Sequence, residues 1–223
     1  MSINYILAVG DSFTYGEELT NREADCYVQQ LANKLNAGYV NNLAKPGSGN
    51  RRMVRNVIEK VTSGVPIDLV VIGWSSPGRM EFCDAAGFYD LWPGYSGNAI
   101  TRDNHEWRRS LLEYINKHHD PEYLYKQTVL DIIMLQSFLK ERGIKYIMLS
   151  TVANEYYHTV YYTKIRPLST QVDAMYYPGW PTEGMAEWTT GCKRGEHGHF
   201  LEEGHKRVAD KLYEHIGNLG WVS

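Results

Sequence analysis

Short apolar runs alternate along the chain with longer segments in which apolar residues recur every three or four positions. The apolar runs predict buried strands near residues 5–9, 39–43, 68–73 and 145–151. The longer segments predict amphipathic helices between the strands and a final helix at the carboxyl end. This alternation indicates βαβ crossovers, so we predict the α/β class: a three-layer α/β/α sandwich with a flavodoxin-like parallel sheet.

Two long segments interrupt the alternation, at about 80–120 and 153–195. Segments of this length exceed ordinary connections and usually carry a function, such as a lid or a binding surface. We interpret both as insertions into a single domain that spans residues 1–223. Because the final helix needs a strand before it, the second insertion is predicted to supply a fifth strand to an all-parallel sheet.

The composition narrows the classes of function. The chain has 223 residues, of which 43% are hydrophobic and 22% charged, and its net charge of −3 favours neither nucleic acid nor an anionic membrane as a partner. No apolar run approaches the roughly 18–20 residues that cross a bilayer. The amino-terminal residues lack a signal-peptide pattern, and the three cysteines lack CxxC spacing. A cytoplasmic protein with reduced thiols is therefore expected.

Candidate chemistry collects at one edge of the predicted sheet. The carboxyl ends of parallel strands meet there, which brings together Gly10–Ser12, Gly47 and Gly73–Ser75. Ser12 lies at a sharp strand-to-helix turn, where an exposed hydroxyl beside a backbone N–H suits a nucleophile. Such a turn can also hold a phosphate through its backbone N–H groups. These residues alone leave both interpretations open.

The runs GDSFTYG at 10–16 and NLAKPGSGN at 42–50, and a late His followed five residues later by Gly204, resemble the conserved blocks of SGNH (GDSL-like) hydrolases. The resemblance implies the SGNH hydrolase fold, Ser12 as the nucleophile and His199 as the general base. It also implies that the backbone N–H groups of Ser12 and Gly47 form an oxyanion hole. Gly49 replaces Gly47 if the second block is shifted by two residues.

The chain departs from the family pattern in two places. Ser75 stands where the third block has an asparagine; we keep it in the oxyanion hole, as a hydroxyl with one proton to donate. Glu196, three residues before His199, replaces the usual aspartate as the orienting acid. His205 with Glu202 repeats that spacing and is the rival base, less favoured because it falls inside the predicted final helix.

Neighbouring polar residues have simpler interpretations. Cys192, His197, His199 and His205 match no zinc spacing, so no metal and no cofactor are predicted. Asp11 is expected to hydrogen-bond its own turn, because adjacency to Ser12 makes it a poor partner for the base. Arg79 and Glu81 are expected either to form an ion pair at the rim of the cleft, which we favour, or to contact the substrate. Asn50 is expected either to cap a helix or to contact a ligand, and the sequence leaves these two open.

The chain contains 17 tyrosines and 6 tryptophans, concentrated in the two insertions. Their rings can pack the insertions against the core, line a ligand wall or form a homo-oligomer interface, and the sequence leaves the three open. For a ligand wall we select Trp74, Trp92 and Trp180 as substrate-binding residues.

The resemblance implies an ester hydrolase that works through an acyl-enzyme on Ser12. Because the chain lacks an apolar membrane-binding stretch and is rich in tyrosine and tryptophan, we expect it to remove a small, acetyl-like group from a polar substrate, such as a small molecule or a glycan. An O-acyltransferase would use the same site, and a binding or virion-structural module could keep the fold with a weakened site. The segments GWSSPGR and NLAKPGSGN are also similar to SGNH-like proteins carried by bacteriophages.

Overall fold

A computed structural model describes residues 3–85, 87–94, 106–152 and 164–222. Within these ranges the central sheet has four parallel strands in the order β2-β1-β3-β6. The four strands are β1 (Tyr5–Val9), β2 (Tyr39–Asn42), β3 (Leu69–Trp74) and β6 (Lys145–Ser150). They agree to within one residue with the four apolar runs of the sequence. Strand β3 is buried along its whole length, as a strand covered on both faces must be.

Helices cover both faces of this sheet. Helices α3 (Tyr27–Leu35) and α9 (Glu202–Asn218) share one hydrophobic core with one face, and α4 (Asn50–Thr62) and α6 (Pro121–Glu141) share a second core with the other. The architecture is therefore the predicted three-layer α/β/α sandwich. The remaining helices are short or belong to the insertions: α1 (Ser12–Tyr15), α2 (Arg22–Asp25), α5 (Glu106–His118), α7 (164–169) and α8 (Met185–Trp188).

Local sequence signals explain where the long helix α6 begins and ends. The Asp120 side chain accepts hydrogen bonds from the backbone N–H groups of Glu122 and Tyr123, and Pro121 occupies the first turn, where its missing N–H costs nothing. Gly143 follows the helix with a φ of 65°, which a side chain would strain. No described helix is long and apolar enough to span a membrane.

The first insertion opens with an antiparallel hairpin formed by β4 (Met80–Asp84) and β5 (Gly87–Leu91). Ion pairs fasten this hairpin to α4: Arg52 Nε lies 2.7 Å from Asp90 Oδ2, and Arg55 binds Glu81 with two nitrogens. The ion pair between Arg79 and Glu81 that the sequence predicted is therefore not formed: Glu81 pairs with Arg55, and Arg79 pairs with Asp11. The carboxyl end of β5 is consequently held over the amino terminus of α4.

The described part of the second insertion, residues 164–195, contains helices, turns and the 3-10 helix Ala174–Tyr176, and no strand that joins the sheet. The expected fifth strand is therefore not found there; residues 153–163, where it could also fall, lie outside the described residues. An isolated bridge between Arg194 and Phe200 precedes α9 instead.

Candidate functional site

Ser12 is the first residue of α1, directly after the loop that leaves β1. Asp11 caps this helix, because its Oδ1 accepts the N–H of Phe13 at 3.1 Å. Gly10 is required next to it: a Cβ at Gly10 would lie 2.1 Å from Thr14 Oγ1. Thr14 is fully buried, so it cannot yield. The glycine before the Asp-Ser pair thus lets the first helical turn close against the strand.

The geometry of the loop at 45–49 bears on the expected oxyanion donors. The N–H of Gly49 donates to Asp90 Oδ1 at 2.9 Å and is committed to that carboxylate. No described residue accepts a hydrogen bond from the N–H of Gly47 or of Ser12. Gly47 has a φ of 79°, a left-handed conformation that favours glycine. These contacts favour Gly47 over Gly49 as the donor that accompanies Ser12.

Asp11 is the centre of a buried polar network. Its Oδ2 accepts hydrogen bonds from Ser75 Oγ at 2.7 Å, Thr151 Oγ1 at 2.8 Å and Arg79 Nη1 at 3.0 Å. Arg79 Nη1 also donates to Ser75 Oγ at 2.7 Å. A serine hydroxyl has one proton, and Ser75 donates it to Asp11. The Ser75 hydroxyl therefore does not have the free proton that its expected role in the oxyanion hole requires. The guanidinium of Arg79 lies beside it.

Asn50 anchors the end of β3. Its Oδ1 accepts the N–H of Ser75 at 2.8 Å, and its Nδ2 donates to the carbonyl oxygen of Ser75 and to Thr128 Oγ1, each at 3.1 Å. Gly49, not Asn50, occupies the cap position of α4, and it makes no side-chain cap. Asn50 therefore fixes the loop after β3. The helix cap expected of Asn50 from the sequence is not formed, because Gly49 occupies the cap position.

His199 lies against the helix that carries Ser12 and pairs with Glu18. Its Nδ1 is 2.8 Å from Glu18 Oε2, and its ring centroid is 4.9 Å from that of Phe13. A carboxylate at Nδ1 keeps the proton on that nitrogen and leaves Nε2 to accept one. Glu17 Oε2 lies 3.7 Å from Nε2. An imidazole held in this way presents the tautomer that a general base requires.

Glu18 accepts hydrogen bonds from the backbone of the turn before α9 as well as contacting the ring of His199. Its oxygens accept the N–H groups of His197 at 2.9 Å and His199 at 3.1 Å. These contacts, that of His197 first, lower the pKa of Glu18 to about 2. Gly195 leaves room for it, because a Cβ there would lie 2.4 Å from Glu18 Oε1. Glu18 itself has a φ of 67°, a strained conformation outside glycine.

Glu196 does not occupy the position that the sequence analysis gave it. It is exposed inside a tight turn, in which Gly198 donates its N–H to the carbonyl oxygen of Gly195 and Gly195 donates its N–H to that of His199. The structure places Glu18, rather than Glu196, at Nδ1 of His199. The three-residue spacing could not reveal this, because a turn of this kind directs Glu196 into solvent while Glu18 approaches from another part of the chain.

His205, the rival base, is buried inside the fold. Its Nδ1 accepts the N–H of Tyr27 at 3.2 Å and so caps the amino terminus of α3. Burial lowers the pKa of His205 to about 3, which keeps the ring neutral. Its surroundings are aromatic, with the Phe200 ring centroid 4.6 Å away. These contacts give His205 a structural role.

Trp92 is the selected tryptophan that reaches the candidate site. A Cβ at Gly47 would lie 3.3 Å from its ring, and the Arg79 guanidinium carbon is 5.3 Å from its ring centroid. The hairpin positions it there, since Trp92 follows β5 directly. The indole therefore packs against both the Gly47 loop and Arg79.

Trp74 and Trp180 do not form the ligand wall that the sequence predicted. Trp74 is buried in the core shared by α4 and α6, and Trp180 packs against that core with its ring centroid 5.0 Å from that of Tyr177. Trp188 is buried in the opposite core and donates its indole N–H to Glu183. The described rings of the second insertion thus pack the fold, while residues 156, 157, 161 and 162 lie outside the described residues.

The described residues contain no group of three or more His, Cys, Asp and Glu side chains that could hold a metal ion. Cys26 and Cys192 are buried and unpaired, and Cys83 is exposed. Burial raises the pKa of the Cys26 thiol to about 11.

The sequence model of a family described as a family of unknown function, DUF6071, matches residues 13–218 of the chain. No curated protein matches it. Among solved structures, TesA is 15% identical with a TM-score of 0.58, and 97% of this chain and 99% of that one are covered.

A psychrotrophic esterase, EstA from Pseudoalteromonas sp., is 11% identical with a TM-score of 0.55, over 97% of this chain and 98% of that one. A lipolytic protein of the G-D-S-L family from Veillonella parvula DSM 2008 is 14% identical with a TM-score of 0.50, over 94% and 96%. At these identities the likeness establishes the fold, which is that of the SGNH hydrolases.

Proposed function

We propose that this member of DUF6071, the family of unknown function to which the chain belongs, is a serine-dependent ester hydrolase. The observation that carries the proposal is the pair of Glu18 and His199, which lies against the short helix that begins at Ser12. An acid, an imidazole and a serine at the end of a parallel strand are the parts of an acyl-transfer site. The esterase and lipolytic names of two similar structures agree with this chemistry.

In the proposed reaction, Ser12 Oγ attacks the carbonyl carbon of an ester while His199 Nε2 takes the hydroxyl proton. The resulting tetrahedral oxyanion collapses, the C–O bond to the alcohol breaks, and the alcohol leaves with the proton from Nε2. Water then attacks the acyl-enzyme, gives one proton to Nε2, and the acid departs as Ser12 regains its proton. Glu18 stabilises the imidazolium formed in each half.

The oxyanion in this proposal is held by the N–H groups of Ser12 and Gly47 and by Arg79. Ser75 cannot supply the third contact while it donates to Asp11, but Arg79 is fixed on the same carboxylate. No described residue accepts a hydrogen bond from Nε or Nη2 of Arg79, so the N–H groups of these two nitrogens remain able to donate to an oxyanion. A guanidinium placed there would compensate for the missing asparagine amide.

The acyl group in this proposal is small, because Trp92 packs over Gly47 and limits the space beside the oxyanion loop. Glu17 and Glu18 lie on the His199 side, which disfavours an anionic substrate there. A neutral, polar acetyl ester fits both conditions.

The proposal is tested with p-nitrophenyl acetate and with a fluorophosphonate that labels activated serines. Wild-type protein should release p-nitrophenol and gain one phosphonyl group on Ser12, whereas Ser12→Ala should lose both. Ser63→Ala, a change at an exposed serine after α4, is the matched control and should retain both. Hydrolysis that persists in Ser12→Ala, or labelling at another serine, would refute the assignment. Repeating the assay with added alcohols shows whether an acceptor other than water is used.

A further inference from the structure

The Gly47 N–H, a donor in the proposed reaction, belongs to a four-residue turn that both neighbouring segments hold in place. The turn runs from Lys45 to Ser48 and is closed by the Ser48 N–H, which donates to the carbonyl oxygen of Lys45 at 3.0 Å. Pro46 at its second position and Gly47 at its third, with a φ of 79°, are typical of a type II turn. Because the Gly47 N–H lies in the central peptide of the turn, its direction follows the orientation of the turn as a whole.

The first end of the turn is fixed to the segment that carries Ser12. The Lys45 N–H donates to the carbonyl oxygen of Gly10 at 3.1 Å. This bond joins two backbones, so it depends on no side chain. A single bond at one end leaves the turn free to swing, and its orientation therefore depends on what holds the other end.

Asp90 holds the other end of the turn. Its Oδ1 accepts the N–H of Gly49 at 2.9 Å, and its Oδ2 accepts a hydrogen bond from Arg52 Nε at 2.7 Å. The Asp90 side chain is 5% exposed, so water competes little for either bond. Gly49 is also the cap residue of α4, where the positive end of the helix dipole attracts a carboxylate. These contacts leave Asp90 little freedom to move.

The end of the hairpin contacts the turn at a second point and leaves no room for a side chain at Gly49. A Cβ at Gly49 would lie 2.6 Å from the carbonyl oxygen of Arg79 and 3.2 Å from Asp90 Oδ1. Trp92, two residues after Asp90, would lie 3.3 Å from a Cβ at Gly47. The turn is thus enclosed between the segment before Ser12 and the carboxyl end of β5.

We propose that Asp90 is a positioning residue for the oxyanion. By holding the Gly49 N–H, it keeps the turn in the orientation in which the Gly47 N–H points at the reacting carbonyl. The proposal rests on the proposed ester hydrolysis at Ser12 and gives Asp90 no contact with the substrate. Loss of this hold displaces the Gly47 donor without removing it, and a misplacement of about 1 Å can cost about 10²-fold in rate.

The kinetic test measures the hydrolysis of p-nitrophenyl acetate. Asp90→Ala should lower kcat by about 10–100-fold with KM within about twofold, because both half-reactions pass through an oxyanion. Asp90→Asn should recover most of that loss, because its amide oxygen can still accept the Gly49 N–H. Asp84→Ala is the matched control: it removes a carboxylate of the same hairpin that binds Arg108 of α5, and it should keep kcat near the wild-type value.

Inhibition by trifluoroacetone gives a measurement that a folding defect would not change. Ser12 Oγ adds to its carbonyl carbon while His199 Nε2 takes the proton, and the resulting oxyanion resembles that of acetyl ester hydrolysis. Labelling with the fluorophosphonate, taken to completion, counts the active molecules. Asp90→Ala should raise the inhibition constant by about the factor by which its kcat/KM per active site falls. Fewer labelled serines with an unchanged inhibition constant would refute the positioning role.

Wild-type kcat and inhibition constant in Asp90→Ala, or an equal loss in Asp84→Ala, would overturn the role of Asp90 while ester hydrolysis stands. If wild-type protein hydrolyses no ester and Ser12 is not labelled, the proposed function fails, and amide hydrogen exchange by NMR then tests the hold on the turn. Exchange at Ser48 and Gly49 should be at least about tenfold faster in Asp90→Ala and unchanged in Asp84→Ala. Equal exchange in wild type and Asp90→Ala would refute the hold.

Discussion

Glu18 Oε2 lies 2.8 Å from Nδ1 of His199, across a separation of 181 positions in the chain. The turn that presents His199 also donates two backbone N–H groups to the same carboxylate. The acid therefore orients both the imidazole and the loop that carries it. Because this pair abuts the helix that begins at Ser12, the proposed chemistry depends on a residue only six positions after the proposed nucleophile.

Glu18→Gln is expected to reduce kcat for p-nitrophenyl acetate by about 10²–10⁴-fold, because an amide cannot stabilise the imidazolium. Glu196→Gln, the matched change at the exposed position, should stay within about twofold of wild type. Since the pKa of Glu18 is about 2, its carboxylate is ionised throughout the working range, and the loss should be the same from pH 6 to pH 9. The kcat–pH profiles of the three proteins check this; a greater loss in Glu196→Gln would restore Glu196 as the acid.

Arg79→Met should lower kcat by about 10²–10³-fold with a smaller change in KM, as expected when a contact to the oxyanion is removed. Arg79→Lys should recover part of that loss, because it returns the positive charge without the planar fork. Because Arg79 also pairs with the buried Asp11, the thermal unfolding of both variants is measured to distinguish a loss of stability from a loss of catalysis. If KM alone rises, Arg79 binds the substrate and does not contact the oxyanion.

Trp92→Ala should lower kcat/KM by about tenfold, because the Gly47 loop and Arg79 both lose the indole that packs against them. Trp180→Ala should leave kcat/KM near the wild-type value and lower the melting temperature, because that ring packs on the core. Steady-state kinetics and calorimetry on the two variants give the comparison. A larger loss of kcat/KM in Trp180→Ala than in Trp92→Ala would show that the second insertion contributes to substrate binding.

His205 should make folding stability depend on pH. Its pKa is about 3 in the folded protein against 6.5 ordinarily, so only the unfolded chain binds a proton between these values. The free energy of unfolding should be highest above pH 6.5 and fall as the pH decreases towards 3. His205→Leu should flatten that slope and cost about 1–3 kcal/mol at pH 8, because the Tyr27 N–H loses its acceptor.

Urea unfolding of wild type, His205→Leu and the exposed-residue control His119→Leu between pH 4 and pH 8 measures this effect. The control should keep the wild-type slope. An unchanged slope in His205→Leu would show that other groups bind the protons.

The sequence alone determined the four strands of the sheet and the helices between them, because hydrophobic periodicity is a local record of which face each element buries. It also placed Ser12, Gly47 and Ser75 at one edge, since parallel strands end together. The tertiary structure decided which side chains meet there: Glu18 in place of Glu196 at His199, and Arg79 beside Ser75. It also placed Trp92 at the site and Trp180 on the core. Such contacts depend on the paths of loops and on the direction of each side chain in a turn, and residue spacing carries neither.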